Sequence, residues 1–179
     1  FHTDEVNIAA KRIAKVTAPG YDLIQGNELS VTQVHANATV VRESHSVADS
    51  MEDLRRLAEE RLGTIDLGSG LDYGTIAISK YRRKDGSNAW LVTIPGTDGK
   101  PDSPFGWPQN VELMSSDSQQ RMQADSARMV AEAMERAGIG PDEPVAMIGH
   151  SQGGIVAATL ASDLKDAYDI EHVVTAGSP

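Results

Sequence analysis

VAMIGHSQGGIVAA, residues 145–158, is the stretch of this sequence that decides the fold. It contains G-x-S-x-G at Gly149, Ser151 and Gly153, between a short apolar run and a run of small residues with helical spacing. A serine on a sharp strand-to-helix turn exposes its hydroxyl, and flanking glycines are needed because a Cβ there would collide with neighbouring backbone. Free N–H groups at a helix N-terminus also favour developing negative charge. The stretch therefore predicts that Ser151 is a nucleophile.

The elements around this stretch alternate in a regular order. The predicted elements are strands over residues 74–81 and 88–94, a helix over 117–137, a strand over 144–148, a helix over 153–164 and a strand over 170–176. The turn Asp85-Gly86 joins the first two strands into an antiparallel hairpin. From residue 88 onward the order is β-α-β-α-β, which requires parallel strands joined by right-handed crossovers. The fold class is therefore α/β.

The N-terminal part of the chain shows helical spacing. Apolar residues predict a shorter helix over residues 4–16 and a long amphipathic helix over 31–62, followed by the Gly-rich connector 67–70. We therefore expect a helical segment with its connector over residues 1–72 and an α/β domain over 73–179. Because no polar cluster marks these helices, their expected role is packing, oligomerisation or a helix-mediated contact with a protein partner.

GHSQGG at residues 149–154 resembles the nucleophile elbow of the α/β-hydrolase superfamily, in particular its lipase and esterase branches. The resemblance covers about residues 73–179 and does not include the N-terminal helices. It implies a partial α/β-hydrolase sheet in which Ser151 attacks an ester or related acyl carbonyl. It also implies that the backbone N–H of Gln152 supplies half of the oxyanion hole.

The other half of the oxyanion hole is expected in the loop after the preceding strand. Residues 90–99, WLVTIPGTDG, bring a glycine-containing turn to the carboxyl-terminal edge of the sheet. Gly96-Thr97 resembles the Gly-Ser/Thr oxyanion turn of class 3-type lipases, which implies that Thr97 contributes its backbone N–H and its side chain. The alternative is an ordinary turn at the end of a strand.

A serine-hydrolase triad in this fold follows the chain order Ser, then Asp or Glu, then His. The one histidine after Ser151 in the sequence, His172, falls near the start of the last predicted strand, more than ~10 Å from a serine beyond the other end of the sheet. His150 is constrained within the elbow. We therefore expect the acid and base beyond residue 179, and we expect residues 1–179 alone to be a catalytically impaired fragment.

Two aromatic residues, Phe105 and Trp107, lie in the loop after the predicted oxyanion turn. Because Phe, Trp and Tyr make up only 4% of the chain, this clustering indicates an acyl pocket or lid with both residues contacting substrate. The alternative, that the rings pin a long loop to the domain, stays open.

Composition excludes several classes of function. The formal net charge of -10 repels phosphate backbones, so no nucleic-acid partner is expected. The absence of cysteine excludes thiolate metal sites and a cysteine nucleophile. No apolar run approaches the ~20 residues of a membrane-spanning helix. The motifs imply neither a metal nor an organic cofactor.

Together these observations predict a serine hydrolase that acts on small-molecule or lipid carboxylic esters through an acyl-enzyme at Ser151. Two alternatives stay open. In one, the N-terminal helices are an interaction module on a degenerate, non-catalytic hydrolase fold. In the other, the acyl group passes to an acceptor other than water.

Overall fold

Six strands form one mixed sheet at the centre of the computed structural model. The structure describes residues 2–13, 28–34, 36–100, 103–106, 113–114, 116–122 and 124–178. The strands are β1 (His2–Ile13), β2 (Glu28–Val34), β3 (Thr75–Arg82), β4 (Asn88–Ile94), β5 (Pro144–His150) and β6 (Asp169–Ala176). The helices are α1 (Val47–Arg61), α2 (Ser118–Arg121), α3 (Asp125–Ala137) and α4 (Gln152–Asp163). Across the sheet the strand order is β2-β1-β3-β4-β5-β6.

The predicted hairpin is confirmed as β3 and β4. These strands pair antiparallel, with Arg82 opposite Asn88 next to the turn. Within the turn the Arg83 N–H donates to the Ser87 carbonyl at 2.8 Å, and Gly86 has φ 84, a conformation that favours glycine. The turn chemistry read from the sequence therefore sets the register of this pair.

The carboxyl-terminal half of the sheet is parallel, as the alternating elements predict. Trp90 of β4 lies opposite Val145 of β5, and Ile148 of β5 lies opposite Val174 of β6. The helix predicted over 117–137 forms as two pieces, α2 and α3, and Gly138 ends α3 with φ 79. The α/β class and the β-α-β-α-β order are therefore confirmed.

The predicted shorter helix over residues 4–16 is wrong. His2–Ile13 form β1, which pairs with β2 on one side and β3 on the other, so that Ile8 lies opposite both Gln33 and Ile76. Val6, Ile8 and Ala10 alternate along β1, and pairing on both edges stabilises the extended backbone over any local helical tendency. Residues 14–16 of that prediction lie outside the described residues.

The predicted long helix is confirmed in its second part and wrong in its first. Glu28–Val34 form β2, whereas α1 begins after Ser46, whose side chain accepts a hydrogen bond from the Asp49 N–H at 3.1 Å. Since β1 pairs with β3, strands on both sides of residue 72 share one sheet. The division into 1–72 and 73–179 as separate units stays a prediction.

The sheet is covered on both faces. On one face, Ile76 and Ile78 of β3 belong to a core with Met129 of α3 and Leu160 of α4. On the other face, a smaller buried cluster joins α1 and the segment before it to β3: Val40, Val41, Leu57 and Ala77. This layering brings the end of α1 to the edge of the sheet where β4 and β5 end. None of the helices in the described part of the chain is long and apolar enough to span a membrane.

Candidate active site

Ser151 is the single residue between the end of β5 and the start of α4. Its φ of 51 and ψ of -120 make it the one non-glycine residue with positive φ in the described part of the chain. Such a backbone costs about 1–3 kcal/mol, so it persists only where its surroundings hold it. Here the Ser151 N–H donates to the Ala176 carbonyl at 2.9 Å, and the Ser151 carbonyl accepts from Ser178 Oγ at 2.8 Å. The strained backbone expected of a nucleophile elbow is therefore present.

The glycines around Ser151 allow backbone segments to approach closely. A Cβ on Gly149 would collide with the Gly153 carbonyl and lie 2.5 Å from the Gly154 nitrogen. A Cβ on Gly153 would collide with the Ile94 carbonyl and lie 2.6 Å from the Pro95 carbonyl oxygen. The expectation that side chains at these positions would meet backbone is confirmed. Gly153 thus permits α4 to begin directly against the end of β4.

The turn at Gly96-Thr97 lies beside Ser151. A methyl group placed on Gly96 would be 3.1 Å from Ser151 Cβ and 2.9 Å from the His150 carbonyl oxygen. The turn follows β4 directly, and β4 is the parallel neighbour of β5, so both strands end at the same edge. The two segments that the sequence assigned to one site are therefore adjacent.

Gln152 is the first residue of α4 and its side chain is fully buried. Its Nε2 donates to the Gly106 carbonyl at 2.9 Å, while its Oε1 has no hydrogen-bond partner in the described part of the structure. The backbone N–H groups in the first turn of a helix have no partner within that helix, and the helix dipole places partial positive charge there. The N-terminus of α4 can therefore stabilise an anion next to Ser151.

A buried ion pair that the sequence analysis missed supports the Gly96-Thr97 turn. Arg61, the last residue of α1, places Nη1 3.2 Å from Asp98 Oδ2, and the two side chains are 1% and 0% exposed. Arg61 Nη2 also donates to the Gly96 carbonyl. Asp98 accepts further hydrogen bonds from Ser103 Oγ at 2.6 Å and from the Gly74 N–H at 3.2 Å. Burial lowers the pKa of Arg61 to about 10, and the Asp98 charge opposes that shift, so the guanidinium is charged at neutral pH.

No spacing in the sequence indicates this pair, because its members are separated by 37 residues. Arg61 lies in a helix with other arginines, and Asp98 lies in a polar loop. The one available signal is the position of Asp98 two residues after a glycine at the end of a strand. That signal does not identify the partner.

Of the two predicted substrate-binding aromatics, Phe105 is fully buried. Its ring packs in the main core, and the Arg61 guanidinium carbon lies 5.4 Å from the ring centre. A buried ring contacts substrate only if its loop moves, so this role stays a prediction. Trp107 lies outside the described residues.

His172 is not placed to act as a base for Ser151. His172 lies four residues before Ala176 on β6, about 13 Å along an extended strand from the residue that pairs with Ser151. His150 precedes Ser151 within the elbow, and His45 lies before α1 with a largely exposed side chain. In the described part of the chain no group of three or more His, Cys, Asp or Glu residues could hold a metal ion.

Comparison with known proteins identifies the family of this chain. A family model described as alpha/beta hydrolase matches residues 7–179, a range that includes residues 7–13 of β1, all of β2 and the elbow. Searches of curated proteins and of solved structures find no match. The family match covers most of the chain. The mixed sheet and the strained serine between β5 and α4 are consistent with the same family. The chain therefore belongs to the α/β-hydrolase family.

Proposed function

We propose that this protein hydrolyses carboxylic esters of a small molecule or lipid through an acyl-enzyme at Ser151. The observation that carries the proposal is the strained backbone of Ser151, with φ 51 and ψ -120, at the junction of β5 and α4. Strain of this kind is typical of functional sites, and Ser151 lies beside the Gly96-Thr97 turn. A tight turn without chemistry has no need of this conformation at a non-glycine residue.

The first step is attack of Ser151 Oγ on the ester carbonyl carbon. The serine proton passes to a general base, a C–O bond forms, and the carbonyl oxygen becomes an oxyanion. Collapse of this tetrahedral intermediate expels the alcohol, which takes up a proton, and leaves the acyl-enzyme. Water then attacks the acyl-enzyme by the same route and releases the carboxylic acid. The general base is not assigned to His45, His150 or His172.

Two backbone N–H groups are proposed to stabilise the oxyanion, those of Gln152 and Thr97. Gln152 stands at the N-terminus of α4, and Thr97 stands in the turn whose Gly96 packs against Ser151. Donors fixed before the reaction stabilise developing charge without reorganisation, and removing one such donor slows acyl transfer by about 10²–10³-fold. The Thr97 side chain is proposed to contribute beside its N–H.

The experiment is labelling of the full-length protein with a fluorophosphonate, together with hydrolysis of p-nitrophenyl esters of increasing acyl length. Ser151→Ala retains the Cβ at this backbone position and removes only the hydroxyl. We expect it to abolish labelling and to lower kcat/KM by at least about 10³-fold. Ser87→Ala, an exposed serine in the β3–β4 turn, is the matched control and should leave both unchanged.

Two results would contradict the proposal. Folded full-length protein that neither reacts with the fluorophosphonate nor hydrolyses any ester would favour the non-catalytic interaction role. Labelling that persists in Ser151→Ala would place the nucleophile elsewhere. Detection of an acylated acceptor in place of the free acid would retain Ser151 as nucleophile but change the reaction from hydrolysis to transfer.

A further inference from the structure

Arg61 contacts the Gly96-Thr97 turn from a distant part of the sequence. It lies 35 residues before Gly96, at the end of a helix that packs on the opposite face of the sheet from α3 and α4. Its guanidinium donates to the Gly96 carbonyl and pairs with Asp98, the second residue after it. Burying two charges costs desolvation energy even when they are paired, and Arg61 Nε has no hydrogen-bond partner in the described part of the chain, so the arrangement calls for a reason beyond packing.

The geometry of a peptide unit supplies that reason. The Gly96 carbonyl and the Thr97 N–H belong to the same planar unit, and no peptide bond in the described chain is cis. In a trans unit the N–H points away from the C=O. A group that holds the Gly96 carbonyl on one side therefore determines where the Thr97 N–H points on the other side.

We propose that Arg61 is a positioning residue for the oxyanion hole, which it orients and polarises through the Gly96–Thr97 peptide while Asp98 holds the guanidinium in place. This inference rests on the proposed function, because it takes the Thr97 N–H as an oxyanion donor. A cation on the carbonyl oxygen also draws electron density from the peptide and strengthens its N–H as a donor.

The guanidinium is suited to this task because it is planar and carries several N–H groups in fixed directions. Nη1 donates to the Asp98 carboxylate and Nη2 donates to the Gly96 carbonyl, while Nε has no hydrogen-bond partner in the described part of the chain. Asp98 also accepts hydrogen bonds from Ser103 Oγ and the Gly74 N–H. The ion pair therefore connects α1 to the loop after β4 and to the residue before β3. A lysine at position 61 supplies charge but not this fork.

The test compares three variants of the full-length protein. Arg61→Met with Asp98→Asn removes both charges at similar volume, so that no buried charge is left unpaired. Arg61→Lys keeps the charge and loses the fork. Arg56→Met is the matched control, since Arg56 lies on the same helix and also donates to backbone carbonyls, those of Val40 and Thr39, away from the site.

For ester hydrolysis we expect the double variant to lower kcat/KM by about 30–100-fold with KM changed less than about threefold. Arg61→Lys should lower it by about tenfold, and Arg56→Met should stay within about twofold of the unmodified protein. Inhibition by an alkylboronic acid, whose serine adduct is a tetrahedral anion, should weaken in parallel with kcat/KM. A purely structural role for Arg61 would not produce this parallel loss.

Amide hydrogen exchange gives a readout that does not depend on ester chemistry. In the folded double variant, exchange over residues 96–98 should speed up at least about tenfold, while exchange over 150–156 changes less than about threefold. Unchanged exchange at 96–98, or kcat/KM within threefold of the unmodified protein, overturns the inference. If the double variant does not fold, Arg61→Lys is judged by the same two readouts.

The two proposals fail in different ways. If Ser151→Ala retains full ester hydrolysis, the proposed function is wrong whatever Arg61 does. If Ser151→Ala is inactive but the Arg61 variants match the unmodified protein in kcat/KM and in exchange at 96–98, only the positioning role is wrong.

Discussion

Residues 149–154 and residues 95–98 form two turns at the same edge of the sheet, and different contacts hold them. The first turn is built by a strand and a helix that are contiguous with it, and close backbone packing at Gly149 and Gly153 shapes it. The second turn follows β4 but is held by Arg61, a residue of α1. The difference teaches that glycines can mark a strained turn in the local sequence even where β4 and the end of β6 help to hold it. The second turn depends on a side chain that no local pattern marks.

The largest expected effect is on folding, from Gly153→Ala in the first turn. Gly→Ala within a helix ordinarily stabilises by about 0.4–1 kcal/mol, but here the new methyl group collides with the Ile94 and Pro95 carbonyls. We expect the free energy of unfolding to fall by more than about 3 kcal/mol, measured by urea denaturation. Gly140→Ala is the control, because the three atoms nearest to its methyl group belong to the Glu143 side chain rather than to backbone, the closest at 3.3 Å. A Gly153→Ala protein as stable as the unmodified one would show that α4 and β4 are not held by close contact.

The next effect is on rate, from Gly96→Ala in the second turn. The methyl group would lie 3.1 Å from Ser151 Cβ and 2.9 Å from the His150 carbonyl oxygen, so the turn must shift away from Ser151. We expect kcat/KM for ester hydrolysis to fall about 10–100-fold while unfolding free energy falls by no more than about 2 kcal/mol. Gly99→Ala controls for strain in the same loop, since Gly99 has φ 72 and open space around its Cβ position. An equal loss of kcat/KM in both variants would show that contact of the new methyl group with Ser151 is not the cause of the effect at Gly96.

A smaller effect is expected at Glu60, the residue that precedes Arg61 in α1. Burial raises the pKa of Glu60, but hydrogen bonds from the Ser69 hydroxyl and the N–H groups of Leu67 and Ser69 outweigh burial and lower the pKa overall. Because the folded pKa is depressed, Glu60 stabilises the fold above the unfolded pKa of about 4.3, and this contribution disappears as pH falls through the folded pKa.

We therefore expect Glu60→Gln to lower the unfolding free energy by about 1–2 kcal/mol at pH 7 and by progressively less on acidification. Glu59→Gln is the control, since Glu59 pairs with Arg55 at the surface and should contribute no more than about 0.5 kcal/mol. Urea denaturation at several pH values measures both. A difference between Glu60→Gln and the unmodified protein that grows as pH falls would contradict the assignment.

The smallest effect is expected from Gln152→Met in the first turn. The change removes the hydrogen bond to the Gly106 carbonyl but also removes the unpartnered Oε1, so the two contributions to stability oppose each other. We expect unfolding free energy to change by less than about 1 kcal/mol and kcat/KM to fall by no more than about tenfold, because the backbone N–H remains. A loss as large as that of Ser151→Ala would mean that the side chain itself takes part in the reaction.

Short sequence motifs predicted the parts of the fold that are formed by residues close together in the chain. The hairpin follows from Asp85-Gly86 between two apolar runs, and the elbow follows from glycines spaced around Ser151. The strand β1 was missed because its pairing with β3 joins residues about 70 positions apart in the chain, such as Ile8 and Ile76. Apolar residues at 6, 8, 10 and 13 are compatible with both the helical period and the alternation of a strand. Pairing with neighbouring strands decides which of the two structures forms.

The sequence by itself determined the site of strain, since Ser151 can take a positive φ only where glycines let the flanking backbone approach. It also determined the α/β order and the adjacency of the Gly96-Thr97 turn, because parallel neighbouring strands end at one edge. Only the tertiary structure decided that Arg61 and Asp98 meet behind that turn. Close backbone packing requires glycine and so leaves a mark in the local sequence, even where the packed segment is distant, as for Gly153 and Ile94. The pairing of two buried charges depends on how α1 packs against the sheet.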